Sequence, residues 1–141
     1  MNARLDSLQA AILLAKMEIF EDEILRRNRI ADFYTRHLSA LCTTPTTTAG
    51  NVHVYAQYSI KHPRRDQLQS LLAREGIPTV THYSRCMHEQ PALSMLGHKA
   101  EDFPTAFACS RQVLCLPMSP YLSEADQEKI VYSIQRLAKS L

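Results

Sequence analysis

The chain has 141 residues, 45% of them hydrophobic and 21% charged, and a formal net charge of +2 at pH 7. This length allows one buried core, and the sequence lacks an apolar run of the roughly 18 residues that a membrane helix requires. So small a net charge argues against a nucleic-acid surface. We therefore expect a globular protein that contacts neither membrane nor nucleic acid. The N-terminus shows no secretory signal, which predicts a cytoplasmic location.

The cysteines and basic residues show no obvious site. The four cysteines stand apart, at Cys42, Cys86, Cys109 and Cys115. Without a C-x-x-C pair they favour free thiols in a reducing compartment over a disulfide framework. The basic residues cluster at one place, Lys61, His62, Arg64 and Arg65. Because the cluster surrounds Pro63, we expect it in a solvated turn, with contact to an anionic ligand or partner as the alternative.

The first 41 residues predict a long helical segment. Apolar residues recur there at three- and four-residue steps, in two adjacent stripes: Leu5, Leu8, Ile12, Ala15 and Ile19, and beside them Leu13, Met17, Phe20 and Ile24. Two stripes indicate a helix that is buried on more than one side. Their change of phase near residues 17–22 predicts a bend or break. We expect this helix to need a covering surface beyond the small sheet that follows.

The rest of the chain predicts an alternation of strands and helices. Residues 52–60, VHVYAQYSI, alternate apolar and polar side chains as strands do, and IPTVTHY and VLCLPM predict two further strands. Between the first two lies a helix, QLQSLLARE, which we expect Asp66 to cap and Gly76 to end. A short helix from Pro104 and a closing helix capped by Ser123 follow. The predicted fold class is α+β, with about three strands covered by two or three helices.

The stretch HYSRCMH holds the residues best suited to chemistry. His82, Cys86 and His88 are potential metal ligands, and Cys86 with His88 is a potential nucleophile pair. The spacing fits no zinc pattern, however, and an oxyanion site and an orienting third group are not evident. We predict neither a metal site nor a catalytic residue here. His82 and Tyr83 end a predicted strand, where a structural role and a small-molecule site both remain open.

Other cofactor signals are weak. None of the three glycines opens a helix after a strand, so no phosphate loop is predicted. The five lysines have charged or polar neighbours or lie on predicted helix surfaces, whereas a lysine that forms a Schiff base needs an apolar or cationic site. The residues alone therefore do not specify a reaction.

Several segments, taken in order, resemble one enzyme family. They are MNARLDSLQAAILLAK, HVYAQYSI, THYSRCMHEQPA and VLCLPMSPYLSE. Together they are similar to the C-terminal part of the DegT/DnrJ/EryC1/StrS sugar aminotransferases, which depend on pyridoxal 5'-phosphate. The resemblance implies the small C-terminal domain of the type I, aspartate aminotransferase-like, fold. It implies an interdomain and dimer-interface segment at 1–42, a small α+β domain at 43–141, and an upstream domain with the cofactor lysine that this sequence lacks.

The resemblance also implies a reaction. It suggests amination of a UDP-linked keto sugar, with a 3-keto sugar or a uronic acid as the nearest match and glutamate as donor, for lipopolysaccharide synthesis. It implies a homodimer through the first helix. Because the cofactor lysine belongs to the upstream domain, we expect residues 1–141 alone to be inactive and not to bind the cofactor covalently. The alternative is a non-catalytic module for dimerisation or nucleotide-sugar binding.

Four residues inherit roles from the resemblance. Asn2 would reach the cofactor phosphate of the neighbouring subunit, and Arg4 the same phosphate or a sugar carboxylate. His82 and Tyr83 would hydrogen-bond the sugar, again across the dimer. The chain departs from the family at Ser84 and Cys86, where proline is common, so the pocket wall and the sugar are expected to differ.

Overall fold

The computed structural model describes residues 5–141. Its helices are α1 (Ser7–Met17), α2 (Phe20–Leu38), α3 (Arg65–Arg74), α4 (Pro104–Gln112) and α5 (Glu124–Ser140). Its strands are β1 (Tyr58–Lys61) and β2 (Val113–Leu116). Short 3₁₀ turns cover Met87–Glu89, Pro91–Leu96 and Ala100–Asp102. Within these residues, no helix combines the length and apolarity needed to cross a membrane.

The predicted N-terminal helical segment forms two helices. Asp6 caps α1, because its carboxylate accepts the backbone N–H of Gln9 at 2.8 Å. A turn at Glu18 and Ile19 interrupts the helix before α2 begins, which confirms the break predicted from the change of phase. The second helix buries Ile30, Ala31, Tyr34 and Leu38, whereas α1 has no buried residue.

The core lies where α2, α3 and α5 pack around the sheet. Its largest fully buried side chains are Tyr34, Tyr58, Leu38, Ile60, Leu68, Leu72, Leu114 and Ile134. The rings of Tyr34 and Tyr58 meet edge to face at a centroid distance of 5.2 Å, a favourable aromatic geometry. The Tyr34 hydroxyl donates to the carbonyl of Pro117 at 3.0 Å, which ties α2 to the segment after β2.

The sheet is smaller than predicted. Strands β1 and β2 pair antiparallel, with Ser59 opposite Cys115. In place of a third strand, the IPTVTHY segment forms a single bridge, in which Val80 and Cys115 exchange hydrogen bonds of 3.2 and 2.7 Å. Pro78 has no N–H to extend such a ladder, so the pairing stays local. In the described chain, two of the three expected strands are therefore present, and the Val80 bridge stands in place of the third.

The strand predicted at 52–60 is mostly wrong. Only its last residues enter β1, and Val52, the first apolar residue of the predicted alternation, is 84% exposed. Tyr55 has φ +45°, in the left-handed region that interrupts an extended strand. The segment is held instead by Asn28, whose side-chain amide donates to the carbonyl of His53 at 3.1 Å.

The start of α3 also corrects two predictions. Asp66 does not cap the helix, because the cap position is Arg64 and it makes no side-chain cap bond. The basic cluster is not wholly solvated either, since His62 and Arg65 are only 7% and 4% exposed. Gly76 follows α3 with φ +73°, as predicted, because this left-handed conformation strains any residue with a Cβ.

The other predicted helix starts are confirmed. Pro104 begins α4, where its missing N–H has no helical partner to lose. Ser123 caps α5 by accepting the backbone N–H of Asp126 at 3.1 Å and donating to the Asp126 carboxylate at 2.6 Å. The closing helix buries Ile130, Ile134 and Leu137.

Candidate functional site

His82 and Tyr83 follow the Val80 bridge at the edge of the sheet. The peptide bond between them is cis, and their rings meet edge to face at 5.5 Å. Both side chains are exposed, Tyr83 by 77%. The two residues that were predicted to contact a sugar are thus adjacent and open to a ligand.

Arg65 fixes the chain immediately before this pair. Its Nη1 donates to the Thr81 hydroxyl at 3.1 Å and to the Val113 carbonyl at 2.8 Å. Its Nε donates to the Asp66 carboxylate at 2.5 Å. One buried guanidinium therefore ties α3, the start of β2 and the residue before His82 together.

An apolar cavity of about 480 Å³ opens beside His82 and Tyr83. Its wall is completed by Arg85, Cys86, Met87, Gln90, Ala106, Cys109, Ser110 and Val113. Most of these residues come from the loop after Tyr83 and from α4. An apolar wall with two hydrogen-bonding side chains at its rim suits a sugar ring, which has both apolar faces and hydroxyl groups.

A polar cavity of about 580 Å³ shares Arg85 with the apolar one. It is lined by Arg65, Asp66, Ser84, Arg85, Glu89 and Arg111. Arg111 lies over the Phe107 ring at 5.0 Å, which orients its guanidinium. Sequence reasoning missed this cavity because its residues lie far apart in sequence, in α3, in the loop after Tyr83 and in α4.

The turn after Ser84 groups three potential ligands. The ligand atoms of Cys86, His88 and Glu89 lie within 4.8 Å of one another, and Nε2 of His88 is buried without a hydrogen-bond partner among residues 5–141. Glu89 already accepts the Cys86 N–H at 3.0 Å and lies 3.5 Å from Nη2 of Arg111. The Cys86 N–H, as the main cause, lowers the pKa of the Glu89 carboxyl. Because Arg111 supplies the cation beside Glu89, we interpret the group as an ordered turn.

Four of the five lysines are exposed, and Lys61 is half-buried. None of the lysines is buried, and none lines either cavity beside His82 and Tyr83. A lysine that forms a Schiff base requires a desolvated or cationic environment. Asn2 and Arg4, the residues predicted to contact the cofactor phosphate, lie outside the described residues.

Comparison with known proteins assigns the family. The profile of the DegT/DnrJ/EryC1/StrS aminotransferase family matches residues 1–135. The chain belongs to this family. A UDP-2-acetamido-2-deoxy-3-oxo-D-glucuronate aminotransferase of Pseudomonas aeruginosa is 42% identical over 125 residues, which are 88% of this chain and 34% of that protein. A "pleiotropic regulatory protein" of Geobacillus stearothermophilus is 39% identical over 137 residues, 94% of this chain and 37% of that protein.

A solved structure shows the same fold. The Streptomyces venezuelae protein DesV, crystallised in complex with a ketimine intermediate, superposes with a TM-score of 0.94 at 30% identity. The superposition covers 100% of this chain and 38% of DesV. The chain thus spans between 34% and 38% of the length of these three relatives. Its fold is that of one part of a type I aminotransferase.

Proposed function

We propose that this chain forms the small C-terminal part of a nucleotide-sugar aminotransferase that depends on pyridoxal phosphate. The proposed substrate is a UDP-linked keto sugar, with a 3-keto sugar or a uronic acid as the nearest match. Glutamate is the proposed amino donor, and the product is proposed to serve lipopolysaccharide synthesis. The relative from P. aeruginosa, whose name specifies a UDP-linked 3-oxo-glucuronate, supports the substrate class. The observation that carries the proposal is the open His82–Tyr83 pair on an apolar cavity of about 480 Å³.

The role of the described residues is to bind and orient the sugar. The Tyr83 hydroxyl and a ring N–H of His82 can each donate to sugar oxygens, and the cavity wall excludes water from one face of the ring. Arg65 keeps the pair in place through Thr81. Pyridoxal phosphate, when bound, would carry the amino group from donor to sugar. We assign the cofactor lysine to a part of the protein outside residues 1–141. Asn2 is assigned to the cofactor phosphate, and Arg4 to the same phosphate or to a sugar carboxylate.

The proposed assembly is a homodimer through the first helix. Helix α1 carries five large apolar side chains that are between 49% and 73% exposed, namely Leu8, Ile12, Leu13, Leu14 and Met17. Exposed apolar surface of this kind is typical of an interface. We retain residues 1–42 as the interface and interdomain segment and 43–141 as the small domain, although the C-terminal half of α2 contributes to the core of the latter.

Light scattering tests the assembly. It is applied to the full-length protein, meaning residues 1–141 together with the proposed upstream domain. Leu14→Glu places a charge in the apolar face of α1 and is expected to convert the dimer to a monomer. Met95→Glu is the matched control, because Met95 is 82% exposed and belongs to the 3₁₀ turn Pro91–Leu96 and not to α1. A Leu14→Glu protein that remains dimeric would place the interface elsewhere.

A transamination assay tests the activity. The full-length protein is supplied with pyridoxal phosphate, glutamate and a UDP-linked 3-keto glucuronate, and the amino sugar is detected by mass spectrometry. Tyr83→Phe and His82→Ala are each expected to raise KM about 10-fold or more, because each removes a hydrogen bond to the sugar. Tyr132→Phe is the control, since Tyr132 is exposed on α5. Failure of the wild type to transfer the amino group would refute the proposed reaction, and residues 1–141 alone are expected to show none.

A further inference from the structure

We propose that the polar cavity bounded by Arg65, Arg85 and Arg111 is an anion subsite, which binds the negatively charged group of a ligand whose sugar lies against His82 and Tyr83. The inference deepens the proposed function, because it assigns a second contact region to the same ligand. The group is an oxyanion, either the carboxylate of a hexuronate or a phosphate of the nucleoside diphosphate. Both present oxygen pairs that match the forked N–H donors of arginine.

The balance of charges in the lining of the polar cavity is the first argument for an anion subsite. The cavity lining holds three guanidinium groups and two carboxylates, Asp66 and Glu89. Asp66 pairs with Arg65, and Glu89 lies 3.5 Å from Arg111 and also accepts the Cys86 N–H. Arg85 makes no ion pair with a described residue. The lining therefore has a positive charge in excess, on the residue that both cavities share.

The burial of Arg65 carries the second step. This side chain is 4% exposed, and its hydrogen bonds to described residues use Nε and Nη1. Its Nη2 donates no hydrogen bond to a described residue, although Arg65 lines the cavity. An oxyanion in the cavity can accept a charge-assisted hydrogen bond from this Nη2 in place of water, with Ser84 as a neutral donor nearby.

Comparison with another cavity shows that arginine content alone is not decisive. A cavity of about 600 Å³ between α2 and the start of α5 is also lined by three arginines, Arg26, Arg29 and Arg36. Three carboxylates, those of Asp22, Glu124 and Glu128, line it as well, so its formal charge cancels. That cavity also lacks His82, Tyr83 and any shared wall with their apolar cavity. The excess charge therefore lies only beside the proposed sugar contact, among the cavities compared.

Isothermal titration of the full-length protein with two probes tests the subsite. UDP-glucuronate carries both a diphosphate and a carboxylate, whereas UDP-glucose carries the diphosphate alone. Arg85→Gln removes the unpaired charge, and since Arg85 is exposed, the change leaves the core intact. We expect it to weaken binding about 10- to 100-fold, the range for losing charged hydrogen bonds. Arg74→Gln is the matched control, an exposed arginine in the last turn of α3.

The two probes distinguish the two sources of the anion. A loss confined to UDP-glucuronate assigns the subsite to a carboxylate, and an equal loss for both probes assigns it to phosphate. Unchanged affinity for both probes in Arg85→Gln overturns the proposal, as does a wild type that binds neither probe. The titration needs no turnover. A protein that binds the probes through Arg85 but transfers no amino group would therefore support the anion subsite and refute the proposed aminotransferase activity.

Discussion

Two consecutive helices of this chain differ in how far their apolar side chains are buried. Helix α2 buries Ile30, Ala31, Tyr34 and Leu38 against the sheet and α5, whereas α1 buries nothing and exposes a row of leucines. Apolar periodicity predicts that a helix has a face to cover, but the cover depends on which other elements reach it. The difference between the two helices therefore separates the part of the chain that completes its own core from the part whose apolar side chains stay exposed.

The largest expected effect is the difference in stability between a leucine substitution in α2 and one in α1. Leu38→Ala is expected to lower the free energy of unfolding by about 2 to 5 kcal/mol, because Leu38 is fully buried and the change leaves a cavity. Leu8→Ala, at a residue that is 73% exposed, is expected to change it by about 0.5 kcal/mol or less. Urea unfolding of the 141-residue chain, followed by circular dichroism, measures both. Equal losses would show that α1 packs within its own chain.

A buried and an exposed arginine of α3 allow the same comparison for polar side chains. Arg65→Met leaves the Val113 carbonyl and the Thr81 hydroxyl without their donor and is expected to cost about 1 to 3 kcal/mol of unfolding free energy. Arg74→Met, on the exposed side of the same helix, is expected to cost about 0.5 kcal/mol or less. Thermal or urea unfolding of the two variants measures the gap. An Arg65→Met chain as stable as the Arg74→Met chain would show that the hydrogen bonds of Arg65 contribute nothing net.

The smallest expected effect concerns alkaline pH. Burial, as the main cause, raises the pKa of Tyr58 from 10.0 to about 12, so the folded chain keeps a proton that the unfolded chain loses. The stabilisation is complete below pH 10 and is lost as the pH rises towards 12. Unfolding measured from pH 8 to 12 should therefore show falling stability.

Two tyrosine variants assign this pH dependence. Tyr58→Phe is expected to flatten part of the alkaline decline, because it removes a hydroxyl that ionises at a lower pH in the unfolded chain than in the folded one. Tyr132→Phe is expected to leave the decline unchanged, since Tyr132 is 66% exposed on the surface of α5. An unaltered slope in Tyr58→Phe would assign the decline to other groups, among them Tyr34, whose pKa burial also raises.

The elements predicted correctly are those whose signals are local. The break before Phe20, the left-handed Gly76, Pro104 at the start of α4 and the Ser123 cap all depend on residues within one or two turns. The strand predicted from residue 52 depended on alternation alone. A strand also needs a partner to hydrogen-bond, and β1 finds one in β2 only from Tyr58 onwards.

The candidate site divides in the same way. Resemblance to the family singled out His82 and Tyr83, and the structure places them together on an apolar cavity. Of the arginines nearby, Arg65 was predicted to lie in a solvated turn, with contact to an anionic ligand or partner as the alternative, and Arg85 and Arg111 were not singled out. The hydrophilic run around Pro63 gave no sign of the acceptors of Arg65. Those acceptors, Thr81 and Val113, lie 16 and 48 residues away, beyond the reach of sequence periodicity.

The buried tyrosines also determine what optical spectroscopy reports. The chain has six tyrosines and no tryptophan, so near-ultraviolet absorption and emission come chiefly from tyrosine. Tyr34, Tyr55 and Tyr58 are buried, and successive rings in this group lie 5.2 and 6.0 Å apart. Helix α1 contains no aromatic residue. Tyrosine absorption and emission therefore report the unfolding of the core around α2 and do not report directly on α1. To observe the docking of α1, a dye or an isotope label must be introduced into that helix.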